Sequence, residues 1–163
     1  MRPRTWLILP LICSMACSAA QEGVADASSQ MEDEAAIRAL TSSFDEAVNA
    51  RDIDALMSRY ADGAVRMDPN VPARVGKEAI RAGFLEGWET NNPVVANQVV
   101  DVRISGDLAM SRGTWTATIT PANGEEAYED RGKWAGAAER QSDGSWKSIW
   151  TIWNSDLPAR TAP

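Results

Sequence analysis

Residues 94–110 read Val94-Val95-Ala96-Asn97-Gln98-Val99-Val100-Asp101-Val102-Arg103-Ile104-Ser105-Gly106-Asp107-Leu108-Ala109-Met110. Val100, Val102 and Ile104 alternate with Asp101 and Arg103, the period-two pattern of a half-buried strand. Ser105-Gly106-Asp107 is a tight-turn signal, and Asn123-Gly124 and Asp143-Gly144 repeat it downstream. These turns divide the chain after Pro93 into strands near 94–104, 108–120, 126–140 and 145–154. Turns this short join antiparallel neighbours, so the four strands form a meander.

Upstream of Pro93 the period is helical. Ser29-x-x-Glu32 is a candidate capping box, and Ile37, Leu40, Phe44, Ala47 and Val48 follow at helical spacing. Asp52 can cap a short second helix carrying Ile53, Leu56, Met57 and Tyr60. Ala64 to Met67 is a short strand that ends at Asp68-Pro69, and a loop runs on to Gly76. A third helix carries Ile80, Phe84 and Trp88. Helices first and a curled antiparallel sheet second is an α+β layout.

The last strand is apolar on both faces. Strict alternation puts Trp146, Ser148, Trp150 and Ile152 on one side and Lys147, Ile149, Thr151 and Trp153 on the other. One layer of helices covers one face of a sheet, so the other needs a second copy of the chain, or enough curvature to bury it within a monomer. A homodimer through the sheet is the expectation.

Composition excludes several chemistries. The 163 residues hold 16 Lys+Arg, 23 Asp+Glu and no His, for a net charge of −7. An acidic chain does not suit a phosphate backbone, so no nucleic-acid partner is expected. Without His there is no Ser-His-Asp triad and no His-bearing zinc site. Acid–base work falls to a carboxylate, a Lys or a Tyr. Phosphate loops, dinucleotide fingerprints and calcium loops are absent and the acidic residues are scattered, so neither cofactor nor metal is expected.

Residues 1–20 have the three parts of a bacterial export signal: Arg2 and Arg4, an apolar run from Trp6 to Met15, then Ala16-Cys17-Ser18-Ala19-Ala20. Cleavage after Ala20 leaves a chain without thiols. Ser14-Met15-Ala16-Cys17 also resembles a lipobox, in which Cys17 is acylated and the membrane is reached only through that lipid. Both fates are periplasmic or membrane-anchored. Residues 21–30 are read as a flexible linker, 31–157 as the domain and 158–163 as a tail.

The order Phe44-Asp45-Glu46-Ala47-Val48-Asn49-Ala50, Asp52-Ile53-Asp54-Ala55-Leu56, Tyr60-Ala61-Asp62 and Asp68-Pro69 resembles the SnoaL-like and ketosteroid-isomerase-like proteins of the nuclear transport factor 2-like superfamily. Gly76-Lys77-Glu78-Ala79-Ile80, Asp130-Arg131-Gly132-Lys133-Trp134, Asp143-Gly144-Ser145-Trp146-Lys147 and Trp153-Asn154-Ser155-Asp156 are similar to an exported branch of it whose function is unknown. The resemblance implies a cone: three helices over a curled antiparallel sheet, with an apolar pocket at one end. Members include isomerases, dehydratases, cyclases, epoxide hydrolases and inert binding modules, so fold alone does not give function.

Ketosteroid isomerase uses an Asp base and an oxyanion hole made of a Tyr and a protonated Asp. By the resemblance the base falls on Asp68, the Tyr on Phe44 and the second donor near Gly136. Phe and Gly donate nothing, so the base survives and the oxyanion hole does not. Asp130, on the inward face with Trp134 and Gly136, is a candidate second carboxylate that can split acid and base roles with Asp68. Asp130 can equally pair with Arg131, Lys133 or Arg112 at the rim. Limonene-epoxide hydrolases use an Asp–Arg–Asp relay, whose members no motif places here. Tyr60, Phe84, Trp88, Trp115, Trp134 and Trp153 are the aromatics available to the pocket, about half of them expected to reach it because such residues are as often core. Thr151 is a candidate polar contact in phase with Trp153, and the resemblance implies that the loop from Asn70 to Arg74 lies at the pocket mouth as a lid. The expected function is binding of a small apolar or amphipathic molecule; the alternative is an isomerase, dehydratase, cyclase or epoxide hydrolase with Asp68 as base.

Overall fold

A computed structural model describes residues 16–158, with side chains from residue 28 onward. Residues 1–15, with most of the export signal, and the tail beyond Pro158 lie outside the described residues, as does the side chain of Cys17. Residues up to Glu32 and residues from Asp33 onward are separate units. In the first, the backbone from Ala16 is already helical, the start of α1 (Ala16–Ala50). The stretch 21–30 read as a linker is therefore helix, and Ser29-x-x-Glu32 lies inside it rather than capping it. The run from Ala16 to Ser29 has no Pro and five Ala, which favours continuation over a stop.

The second unit is the α+β domain. Its core helix positions, Ile37, Ala47 and Val48, are buried. α1 ends in a left-handed residue, Arg51 (φ 54), with Asp52 N–H donating to Ala47 O at 2.9 Å and Arg51 N–H to Val48 O at 3.0 Å. This is a Schellman end built without glycine. Arg51 is held there by a hydrogen bond to Trp88 O. Asp52 then caps α2 (Ile53–Ser58), accepting from Asp54 N–H and Ala55 N–H. The strand β1 (Tyr60–Met67) starts at Tyr60, which belongs to it rather than to the helix. The expected loop to Gly76 contains a two-residue strand, β2 (Arg74–Val75), antiparallel to β1. Gly76 (φ 85) opens α3 (Lys77–Thr90) in a conformation that a side chain disfavours.

The meander follows as β3 (Asn91–Ser105), β4 (Leu108–Pro121), β5 (Tyr128–Arg140) and β6 (Trp146–Ser155). The sheet order is β2-β1-β6-β5-β4-β3, curled and unclosed. Every pair is antiparallel except β1–β6, which is parallel. Register shifts interrupt β1–β6, β3–β4 and β5–β6, and such bulges bend strands.

The β5–β6 shift corrects the alternation expected for β6. Ala137 pairs with Trp150 but Ala138 pairs with Ser148, so Ile149 is the extra residue. Ser148 and Thr151, three apart, consequently share the inner face with Trp146 and Trp153, while Trp150 and Ile152 face out. Trp146 is buried with Ile37, Ala109 and Ala138, not beside Trp150. Its Nε1 donates to Asp33 at 3.3 Å, and Arg140 lies 4.4 Å over its ring.

On the outer face the registers align Val75, Val65, Trp150, Ala137 and Met110 in one row across five strands. Val75, Met110 and the neighbouring Ile152 are exposed.

Candidate functional site

Between the helices and the inner face of the sheet lies a cavity of about 500 Å³. Phe44 on α1 and Phe84 and Trp88 on α3 line its helical side. Phe84 meets Phe44 edge-on at 6.1 Å and Trp88 at 6.0 Å. Trp115, Trp134 and Trp153 line the sheet side. Trp115 and Trp134 lie over strand glycines: Trp115 faces Gly132 and Trp134 faces Gly113 across β4–β5. Their indole N–H groups donate to Asn154 O and Thr114 O. Bare glycine backbone lets these rings lie against the sheet and leaves the middle of the cavity open.

All six candidate aromatics border the cavity, with Tyr60 and Trp88 almost fully buried. Thr151 does too, within 3.2 Å of Ser148 Oγ, a polar pair created by the β6 bulge. Asn70 is exposed in a left-handed conformation (φ 63) and does not line the cavity, whereas Pro69 and Val71 beside it do.

Asp68 and Asp130 both border the cavity, in different settings. Asp68 Oδ1 accepts from Arg66 Nε at 2.7 Å and from Trp153 Nε1 at 2.6 Å, and Oδ2 accepts from Arg74 Nη1. Three donors, two of them cationic, thus converge on this one carboxylate. Asp130 Oδ1 accepts from Ser155 Oγ at 2.6 Å and from Arg131 N–H at 2.7 Å. The expected side-chain partners Arg131, Lys133 and Arg112 do not pair with it: Lys133 goes to Asp156 and Arg112 to Asp101.

The three arginines of the site carried no sequence signal strong enough to single them out. Arg66 is two residues before Asp68 on one strand, so both point the same way, and that spacing is legible in retrospect. Its guanidinium also donates to Tyr60 Oη at 3.3 Å and lies 4.5 Å over the Phe84 ring. Burial pulls its pKa down, but Tyr60 and Asp68 outweigh burial and hold it above the ordinary value. Arg74 comes from β2, which the sequence did not reveal. Arg59 ends α2 and is the one buried charged residue among those described; no motif marks it. No group of three His, Cys, Asp or Glu among the described residues is placed to hold a metal.

The SnoaL-like domain model matches residues 40–147. No curated protein matches the chain. Among solved structures, a ketosteroid isomerase-like protein from Erwinia carotovora atroseptica superposes with a TM-score of 0.72 at 26% identity, covering 76% of this chain and 96% of its own. The hexachlorocyclohexane dehydrochlorinase LinA-type3 from Novosphingobium barchaimii gives 0.70 at 19%, over 78% and 89%. A cystatin-like protein of unknown function from Nostoc punctiforme gives 0.64 at 16%, over 76% and 91%. With the family model matching well over half of its residues, the chain belongs to the SnoaL-like family.

Proposed function

We propose that this domain binds a small apolar or amphipathic molecule in its aromatic-lined cavity without chemically transforming it. The observation that carries this reading is the setting of Asp68, whose two oxygens already accept from Arg66, Arg74 and Trp153. Phe44 and Gly136, where an oxyanion hole would need donors, border the same cavity and supply none. A mostly apolar cavity with a few placed polar groups is the usual form of a ligand site. The test is a thermal-shift panel of apolar compounds against wild type and against Thr151→Trp, which fills the cavity. Ligands should raise the Tm of wild type and not of the variant. An equal rise in both sends binding elsewhere.

A second reading keeps the enzyme: an isomerase, dehydratase, cyclase or epoxide hydrolase using Asp68 as base. One observation favours it, the Arg66–Asp68 contact at the cavity wall, two members of an Asp–Arg–Asp relay. Asp130 is held by Ser155 instead of by Arg66, which leaves that relay unassembled.

Assembly and address belong to the same proposal. The outer row from Val75 to Met110 suits the face of a second copy, and the sequence before residue 21 suits export with release or a lipid on Cys17.

A further inference from the structure

Three arginines, Arg59, Arg66 and Arg74, line the cavity. Two are matched by carboxylates: Arg66 by Asp68, and Arg74 by Asp68 and Glu86. Arg59 is the exception. Its residue is 9% exposed, and among the described residues its side chain makes no hydrogen bond and no ion pair. The nearest acids are engaged or remote. Asp45 accepts from Asn97 N–H at 2.8 Å and from Asn97 Nδ2, and Glu46 is exposed. Tyr60 foremost, then Asp45 and Glu46, favour the Arg59 charge only through space. Asp130 lies toward the other end of β5: the start of β1 next to Arg59 pairs with Ser148, and Ser148 with Ala138, eight residues beyond Asp130. Eight residues of strand span roughly 26 Å.

A largely enclosed cation with no carboxylate bound to it is costly to keep. Burial pulls the Arg59 pKa down to about 10, which still leaves it charged at neutral pH. An apolar side chain of the same length would fill the space at less cost. What a guanidinium adds is a planar fork of donors suited to a carboxylate. Ile37, Leu40 and Val48, which line the same cavity, are apolar and add no charge to it.

We infer that Arg59 is the anchor for an anionic head, and that the cavity takes an organic carboxylate whose apolar body lies among Phe84, Trp115 and Trp134. This deepens the binding reading and rests on it: the cavity supplies the contact area, and Arg59 sets which class of molecule uses it. The ligand's carboxylate supplies the counter-charge that the fold leaves out. Arg66 and Arg74 are already engaged, Arg66 by Asp68 and Arg74 by Asp68 and Glu86.

The test compares naphthalene-2-carboxylate with its neutral carboxamide, the same body with and without the charge, by calorimetric titration at neutral pH. Wild type should bind the carboxylate at least tenfold more tightly. Arg59→Met, which keeps the length and loses the charge, should erase that preference and still bind the amide. Arg59→Lys should retain part of it. Circular dichroism confirms that each variant folds, and the wild-type comparison needs no variant at all. Equal affinity of wild type for acid and amide overturns the anchor and leaves the cavity reading intact. A preference that survives in Arg59→Met also overturns it. If neither probe binds wild type, and no neutral compound of the panel does, the cavity reading falls and the anchor falls with it.

Discussion

Trp153, in the last strand, donates its indole N–H to Oδ1 of Asp68, 85 residues earlier, at 2.6 Å. The bond ties the end of β1 to the end of β6, and the Trp153 ring also meets Trp115 edge-on at 5.2 Å. With Arg66 on the same oxygen and Arg74 on the other, Asp68 closes a four-residue polar cluster at the cavity wall. The residue that the family pattern nominates as a base thus also holds this cluster together. Asp68→Asn should leave Arg66, itself mostly buried, short of a counter-charge and lower the stability by on the order of 3 kcal/mol. Urea unfolding measures this; a loss below half of that figure would mean that the cluster is not structural.

The flat seating of the tryptophans gives a second prediction. A Cβ on Gly113 would run into the Gln98 carbonyl and reach within 2.8 Å of the Trp134 ring. Gly113→Ala should cost about 1–3 kcal/mol or more. Gly63→Ala, where nothing lies within 4 Å, should stay within about 0.5 kcal/mol of wild type. Equal behaviour of the two in thermal melts would contradict the packing described.

A third concerns acid. The hydrogen bond from Arg140 holds the Asp33 carboxyl below its ordinary value; burial opposes this and the Trp146 N–H adds to the lowering. Because the folded pKa lies below the unfolded one, the unfolded chain takes up the proton first. The stabilisation is complete above the unfolded value of about 3.9 and is lost as pH falls through the folded value. Asp33→Asn should therefore be less stable than wild type at neutral pH, and the gap should close in acid. A gap that stays constant from neutral pH into acid would refute the linkage.

Assembly gives a fourth. Light scattering of the domain should give twice the chain mass, through the outer row that holds Met110 and Trp150. Met110→Lys with Ile152→Lys puts two charges on that face and should yield a monomer with an unchanged circular dichroism spectrum. A monomeric wild type at micromolar concentration would reject the dimer.

The address gives a fifth. Mass spectrometry of the N-terminus from the native host should find either a diacylated Cys17 or a chain starting at Gln21. An intact Met1 in the cytoplasmic fraction contradicts export.

The strands were legible because their punctuation is local. Ser105-Gly106-Asp107, Asn123-Gly124 and Asp143-Gly144 mark turns without reference to the rest of the chain, and the observed strand limits follow them closely. The β6 bulge was not legible, since Ser148-Ile149-Trp150 carries no glycine and its extra residue arises from pairing with Ala137 and Ala138. That single shift moved Trp146 inward and set Thr151 beside Ser148. Asp68 was visible as a residue and not as a state. Its partners come from Arg66, Arg74 and Trp153, and only tertiary structure brings the last two to it. Arg59 gave no signal, because an arginine after a short helix reads as surface until the cavity closes around it.

The central claim, binding without turnover at a cavity whose Asp68 is already occupied, is tested most directly by the fate of a bound ligand. A compound that raises the Tm is incubated with stoichiometric wild type for hours, and the recovered molecule is analysed by mass spectrometry and nuclear magnetic resonance. The account predicts that it returns unchanged, with one molecule bound per chain. A product that accumulates with wild type and fails to appear with folded Asp68→Asn would contradict it and make Asp68 a catalytic base.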